Sequence, residues 1–207
     1  MRTAFPRLYA ILVPSRIGSG SLPEVCEFAR ELIAGGATLI QLREKHASAN
    51  QILRLARELR RMLPVGVKLI VNDRADLAVA AQADGIHIGQ DDIPPDAVRR
   101  VIGSTRILGV STHNPEQVET ADHTSGDYVA IGPVFGTISK ENPDPVTGLE
   151  GVRLARTRTQ KPLVAIGGIT LQNCRSVVEA GADSVAVISE LLGDPRKTTA
   201  DFLRQMR

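Results

Sequence analysis

The chain lacks tryptophan altogether, and tyrosine and phenylalanine bring the aromatic share to only 3% of 207 residues. Platforms that hold single-stranded nucleic acid stack bases on aromatic rings, so this scarcity weighs against such a partner. Cysteine is nearly absent too. Cys26 and Cys174 lie far apart and form no metal-binding spacing. They read as buried or half-buried helix thiols in a reducing compartment. No apolar run approaches the roughly 20 residues of a membrane-spanning helix. The opening stretch MRTAFPRLYAILVPSR holds one short apolar run broken by Pro14, and reads as a first strand rather than a signal peptide. A cytoplasmic location is therefore expected, with neither membrane nor nucleic acid as partner. An excess of one charge is missing as well: the formal net charge is +2, so no global field draws the chain to a polyanion.

What is present is the composition of a folded domain, with 43% hydrophobic and 23% charged residues. The length suits one domain spanning 1–207, and no linker or low-complexity tract interrupts it. One unit repeats: a short β-branched strand, a loop, then an alanine-rich helix. Strands are expected at 9–13, 38–42, 68–72, 86–89, 106–110, 128–131, 163–166 and 184–188. Helices are expected at about 21–34, 48–63, 75–83, 94–102, 115–121, 149–158 and 171–180, with an eighth closing the chain. Eight such units point to a parallel sheet with helices outside. An open doubly wound sheet competes with a closed (β/α)8 TIM barrel. The count of eight, and polar groups that all follow strands, favour the barrel, whose active site lies at the C-terminal rim.

The stretch TLIQLREK, residues 38–45, organises the rest. Alternation along a strand turns Gln41, Arg43 and Lys45 one way and Ile40 and Leu42 the other. Two cations and an amide at the mouth of a buried strand are costly unless something negative meets them, so the pattern asks for an anionic ligand. A second constellation is the IGGI run at 166–169 with VIS at 187–189. Glycines let backbone N–H groups approach a ligand, and the loops after strands seven and eight are a recurring phosphate site in this fold. The alternative is a tight strand–helix turn. A third is Asp73 after the third strand and Asp92 after the fourth. These could merely cap helices. Beside Asn72, Arg43 and Lys45, they instead suit Mg²⁺ shared between carboxylates and a diphosphate. Arg43, Lys45, Lys140 and such an ion, set against the two aspartates, leave about the positive charge that a diphosphate ester would neutralise. The irregular segment 132–148 has the length of a lid or binding loop.

No convincing nucleophile emerges. Ser111 and Ser139 have no His–Asp pair spaced to activate them, and neither cysteine has a basic neighbour that marks it out. His87 sits within a strand, either as a hydrogen-bonded core residue or as a site group. His46, His113 and His123 read as loop or surface residues. A site rich in cations and poor in bases fits the departure of an anionic leaving group.

Read together and in order, QLREK, VND, ADGIHIGQDD, GVS, GPVF-T-SK, IGGI and VIS resemble the thiamine phosphate synthase family over about 9–192. The resemblance implies a TIM barrel acting as a transferase of thiamine biosynthesis. Such an enzyme joins 4-amino-5-hydroxymethyl-2-methylpyrimidine diphosphate to 4-methyl-5-(2-phosphoethyl)thiazole, releasing diphosphate. It implies that Gln41, Arg43, Lys45 and Asn72 bind the pyrimidine diphosphate, with His87 lining that pocket. Asp73 and Asp92 would hold Mg²⁺. Ser111 would contact the diphosphate or pyrimidine region, and Lys140 would close on the diphosphate. Arg43, Lys45, Ser111 and Lys140 would carry the catalytic step. Thr137, Ser139, Gly168, Ile188 and Ser189 would hold the thiazole phosphate. The implied mechanism is dissociative, diphosphate leaving before the thiazole nitrogen attacks. The lid departs from the family's Pro-Thr-x-Thr-Lys, reading Gly136-Thr137-Ile138-Ser139-Lys140, and the first strand lacks the family's Tyr-x-x-Thr-Asp ending. A related thiazole tautomerase, a regulatory binder of thiazole phosphate and an unrelated phosphate-binding isomerase are the competing readings.

Overall fold

A computed structural model describes residues 5–137 and 144–207. Eight strands are present: β1 (Leu8–Leu12), β2 (Leu39–Leu42), β3 (Lys68–Asn72), β4 (Gly85–Ile88), β5 (Ile107–Thr112), β6 (Tyr128–Ile131), β7 (Leu163–Ile166) and β8 (Ser184–Val187). All neighbours pair in parallel and in sequence order, and β8 returns to β1 through the Leu8–Val185 register, closing the barrel. The helices that alternate with them are α1 (Leu22–Ala34), α2 (Ala49–Met62), α3 (Ala75–Ala80), α4 (Pro95–Ile102), α5 (Pro115–Asp122), α6 (Gly148–Arg158), α7 (Cys174–Glu179) and α8 (Pro195–Gln205). The (β/α)8 barrel is the architecture that the repeat predicts. Among the described residues no helix is long and apolar enough to cross a membrane.

Strand alternation divides the apolar residues into two bodies. One parity packs outward: Leu8, Ala10 and Leu12, then Ile40 and Leu42, then Leu69 and Val71, join the inner faces of the helices. The other fills the lumen with Tyr9, Ile11, Leu39, Ile70, Tyr128, Ala130, Val164 and Ala186. Layers of side chains from several strands plug such barrels, so the lumen is core rather than pore. Gln41 shares the lumen parity with Leu39, as the alternation in TLIQL requires.

Helix starts follow local side-chain chemistry. Ser48 and Gln51 bond each other's backbone N–H at the start of α2. Asn114 and Asp194 cap α5 and α8. Helix α7 starts at Cys174, three residues later than expected. The Asn173 amide accepts from Thr170 N and donates to Gly168 O, which holds residues 170–173 in a turn. A 3₁₀ turn over Ser189–Leu192 intervenes before α8.

The barrel's N-terminal face carries a device used three times. Asp84, Asp127 and Asp183 each precede an even-numbered strand. Each accepts a hydrogen bond from the backbone N–H of the preceding strand: Leu69 at 2.9 Å, Leu108 at 2.8 Å and Leu163 at 2.8 Å. Each also meets an arginine from the helix one unit back, namely Arg60, Arg99 and Arg156. These arginines also donate to backbone carbonyls near their helix ends, among them Leu63 O, Gly103 O and Lys161 O. Carbonyls orphaned at a helix C-terminus are thereby satisfied, and a cation stands at the negative pole of the helix. Replacing Asp183 with Ala should destabilise the fold by about 1–2 kcal/mol, since it leaves the Leu163 N–H and Arg156 without their shared acceptor. Urea melts read this directly; an unchanged midpoint would remove the bridge from the list of stabilising contacts.

Candidate active site

At the opposite face, the strand C-termini ring a cavity of about 940 Å³. Its wall contains Gln41, Arg43, Lys45, Asn72, Asp73, His87, Asp92, Ser111, Thr137, Gly168, Ile188 and Ser189, so the residues singled out in the sequence from seven different strand ends meet in one place. Ser139 and Lys140 lie outside the described residues.

The anion-binding side follows from β2. Arg43 stands one residue past the strand, its N–H donating to Leu12 O at 2.9 Å, with its guanidinium partly enclosed. Burial pulls its pKa down and the Asp73 charge pulls it back up. Lys45 Nζ lies 3.6 Å from Asp73 Oδ2. Half of the Lys45 side chain is exposed, so this pair adds little stability by itself. It leaves an ammonium at the cavity wall.

Asp73 and Asp92 are not caps. The first turn of α3 begins at Arg74 and that of α4 at Pro94, and neither start receives a side-chain capping bond. Asp92 instead folds back over the GQDD turn, its Oδ2 accepting from Gly89 N at 2.7 Å. Asp73 occupies left-handed backbone at φ 61°, and Arg74 N bonds Asn72 O at 2.7 Å across it. Non-glycine residues visit this region at a cost, asparagine and aspartate least, and such strain gathers at functional sites. The Asp73 carboxyl is pushed above the usual carboxylate range, first by burial and then by the charge of Asp92 beside it. Two carboxylates held together against their own repulsion are a fit for a divalent cation. Among the described residues no cluster of three or more His, Cys, Asp or Glu groups could hold a metal unaided. One or two carboxylates, with waters and substrate oxygens, are what Mg²⁺ commonly takes.

The floor holds a surprise for the sequence reading. His87 is buried, with Nδ1 2.8 Å from the Tyr128 hydroxyl and Nε2 2.7 Å from Ser111 Oγ. It is both a hydrogen-bonded core residue and part of the cavity wall. Ser111 thus does have a histidine partner, which the spacing did not reveal because strands β4 and β5 bring them together. Burial, with the Arg43 charge, lowers the His87 pKa to about 4, so its imidazole is neutral at pH 7. His113, read as a loop or surface residue, also lines the cavity. Its Nδ1 lies 2.7 Å from Gly132 O and 3.4 Å from Asp144. Tyr9 was missed, being apparent in the sequence only as one more strand residue. Gln90 likewise, although its amide bonds Ser111 O at 2.6 Å.

Across the cavity, Gly167 and Gly168 adopt φ 99° and 62°. A Cβ on Gly168 would meet Gly136 O at 2.5 Å, and one on Gly167 would meet Pro133 Cβ at 2.5 Å. The 132–136 segment bonds onto this turn, Val134 N to Ile166 O and Phe135 N to Gly167 O. Glycine there is what lets the lid base, Gly168, Ile188 and Ser189 share one wall. The 3₁₀ turn that starts at Ser189 contributes that residue to the same wall.

Residues 8–191 match a family model described as thiamine monophosphate synthase. A thiamine-phosphate synthase of Koribacter versatilis is 57% identical over 200 residues, covering 96% of this chain and 95% of the relative. One of Chloroflexus aurantiacus is 46% identical over 176 residues, covering 84% and 80%. The solved thiamine phosphate pyrophosphorylase of Pyrococcus furiosus superposes with a TM-score of 0.85 at 35% identity, over 97% of this chain and 95% of that one.

The carboxylate pair gives a prediction independent of turnover. An aspartate whose pKa is raised in the fold binds its proton more tightly folded than unfolded. Stability is therefore lost as pH climbs from the unfolded pKa through the folded one, and the deficit is carried at pH 7. Asp73→Asn, which tolerates the left-handed backbone, should raise the metal-free melting temperature at pH 7 by about 2–4 °C. That gain should shrink as pH falls below the ordinary carboxylate range, where the Asp73 carboxyl is protonated folded and unfolded alike. Millimolar magnesium should raise the melting temperature of the parent, and the variant should lose that rise. A lower metal-free melting temperature would mean that the Lys45 contact outweighs the repulsion.

Proposed function

Because the chain belongs to the thiamine monophosphate synthase family, we propose that it joins 4-amino-5-hydroxymethyl-2-methylpyrimidine diphosphate to 4-methyl-5-(2-phosphoethyl)thiazole, releasing diphosphate. The observation that carries this reading is the Asp73–Asp92 pair, freed from helix capping, beside Arg43 and Lys45 at the rim. An isomerase acting on a thiazole phosphate alone has no use for that clamp. Two phosphorylated substrates also need two anion sites. The cation-rich wall at β2–β4 and the glycine-lined wall at β7–β8 stand on opposite sides of one cavity.

Gln41 and Asn72 would orient the pyrimidine, with His87 below it, and Arg43 and Lys45 would take the diphosphate oxygens. Magnesium held by Asp73 and Asp92 would neutralise charge that develops on the diphosphate. The bond between the pyrimidine methylene carbon and the bridging oxygen breaks, and its electron pair leaves with the diphosphate. The methylene carbon, now cationic, is stabilised by the aminopyrimidine ring. The thiazole nitrogen donates its lone pair to that carbon and forms the new C–N bond. No proton is lost at the reacting atoms, so the step calls for no general base. His87, neutral because buried and close to Arg43, adds no positive charge beside the developing cation. Thr137, Gly168, Ile188 and Ser189 would hold the thiazole phosphate, and its nitrogen faces the opposite wall. The roles of Ser139 and Lys140, on the thiazole phosphate and on the departing diphosphate, rest on sequence alone. The buried free thiols Cys26 and Cys174 suit a reducing cytoplasm.

One assay tests the reading: both substrates with magnesium, following diphosphate release. Release should require all three components, and Asp92→Ala should lower kcat/KM by about 10²-fold or more. Full activity of that variant without magnesium would reject the metal assignment. Conversion of the thiazole phosphate with no diphosphate released would reject the synthase.

A further inference from the structure

A series of five polar side chains runs beneath the cavity floor. Gln41 Nε2 donates to the Tyr9 hydroxyl at 2.8 Å. The Tyr9 and Tyr128 hydroxyls are 2.9 Å apart. Tyr128 then reaches His87 Nδ1, and His87 Nε2 reaches Ser111 Oγ, at 2.8 and 2.7 Å. Both tyrosines are fully buried lumen residues, and Tyr128 fits only because residue 109 is glycine: a Cβ there would lie 2.0 Å from the Tyr128 ring.

The direction of this series follows from the Gln41 amide donating to Tyr9, together with proton counting. Each phenol carries one proton, and burial keeps both phenols protonated by raising their pKa values. A neutral imidazole carries one N–H as well. Tyr9 accepts from Gln41. If it also accepted from Tyr128, its own proton would have no acceptor among the described residues in a site closed to water, the costlier arrangement. Tyr9 therefore donates to Tyr128, and Tyr128 donates to His87 Nδ1. His87 is left protonated on Nε2, which donates to Ser111 Oγ. With Oγ occupied as an acceptor, the Ser111 proton turns to the cavity. At the other end, with Nε2 of Gln41 turned to Tyr9, its carbonyl oxygen is left for the ligand.

We propose that Tyr9 and Tyr128 are positioning residues that fix the polarity of this relay, making Gln41 an acceptor and Ser111 a donor toward the substrates. Deleting either phenol lets the amide or the imidazole reverse, so each end of the site presents an ambiguous face. The kinetic part rests on the synthase reading; the tautomer does not.

The test uses the full chain with ¹⁵N-labelled histidine, the His87 resonances being assigned by their loss in His87→Gln. Wild type should show the Nε2–H tautomer, and Tyr128→Phe should shift it toward Nδ1–H. An Nδ1–H wild type, or an unmoved tautomer in Tyr128→Phe, would overturn the proposal whatever the protein catalyses. In steady state, Tyr9→Phe should raise KM for the pyrimidine diphosphate about tenfold and leave KM for the thiazole phosphate within about twofold. Tyr128→Phe should lower kcat about tenfold. Equal losses for both substrates, or none, would also overturn it. If Tyr128→Phe does not fold, Tyr9→Phe and the wild-type tautomer still decide. A wild type that turns over neither substrate would remove the synthase reading and leave the tautomer result standing.

Discussion

Closure of the barrel through the pairing of β8 with β1 is the constraint on which everything else depends. Once Leu8 sits beside Val185, no strand has a free edge, and all eight C-termini must open onto one rim. Groups separated by more than a hundred residues, such as Gln41 and Ser189, then line the same cavity. Closure also forces the alternation of lumen and helix-facing residues. That is why a strand as short as LIQL can serve the outer core with Ile40 and Leu42 while presenting Gln41 inward.

The two faces of the barrel use aspartate in opposite ways. At the N-terminal face Asp84, Asp127 and Asp183 are each met by an arginine and a backbone N–H. Their charges are compensated within the fold. At the C-terminal rim Asp73 is enclosed beside Asp92, and its pKa rises although half-exposed Lys45 and part-buried Arg43 stand nearby. The first arrangement holds strands in register; the second stores an electrostatic deficit that a cation can relieve. Asp73 stands on left-handed backbone, a further sign that this corner is shaped for chemistry rather than for stability.

The lumen is divided along its length. The layer beneath the rim carries the tyrosine–histidine series. A buried interior favours polar groups whose donors find acceptors. Such groups are therefore ordered with respect to one another, and that order reaches the cavity through Gln41 and Ser111. Scarce aromatics are consistent with this. The chain's two tyrosines are both spent on the floor of the site.

By itself the sequence determined the repeat, the parity of the second strand and twelve of the residues that line the cavity. These are local properties: period-two alternation in TLIQLREK, capping residues such as Ser48 and Asn114, and Asp73 and Asp92 directly after strands. It also placed Gly167 and Gly168 at a turn where only glycine fits. Tertiary structure alone decided what depends on contacts between distant strands. It paired Ser111 with His87, joined Tyr9 to Tyr128, brought His113 and Gln90 to the cavity wall and shortened α7 through Asn173. It also settled that the two aspartates face each other rather than the helices that follow them. Spacing along a chain cannot report these relations, because strand neighbours in a closed barrel meet by register, and register is fixed only when the whole ring has formed.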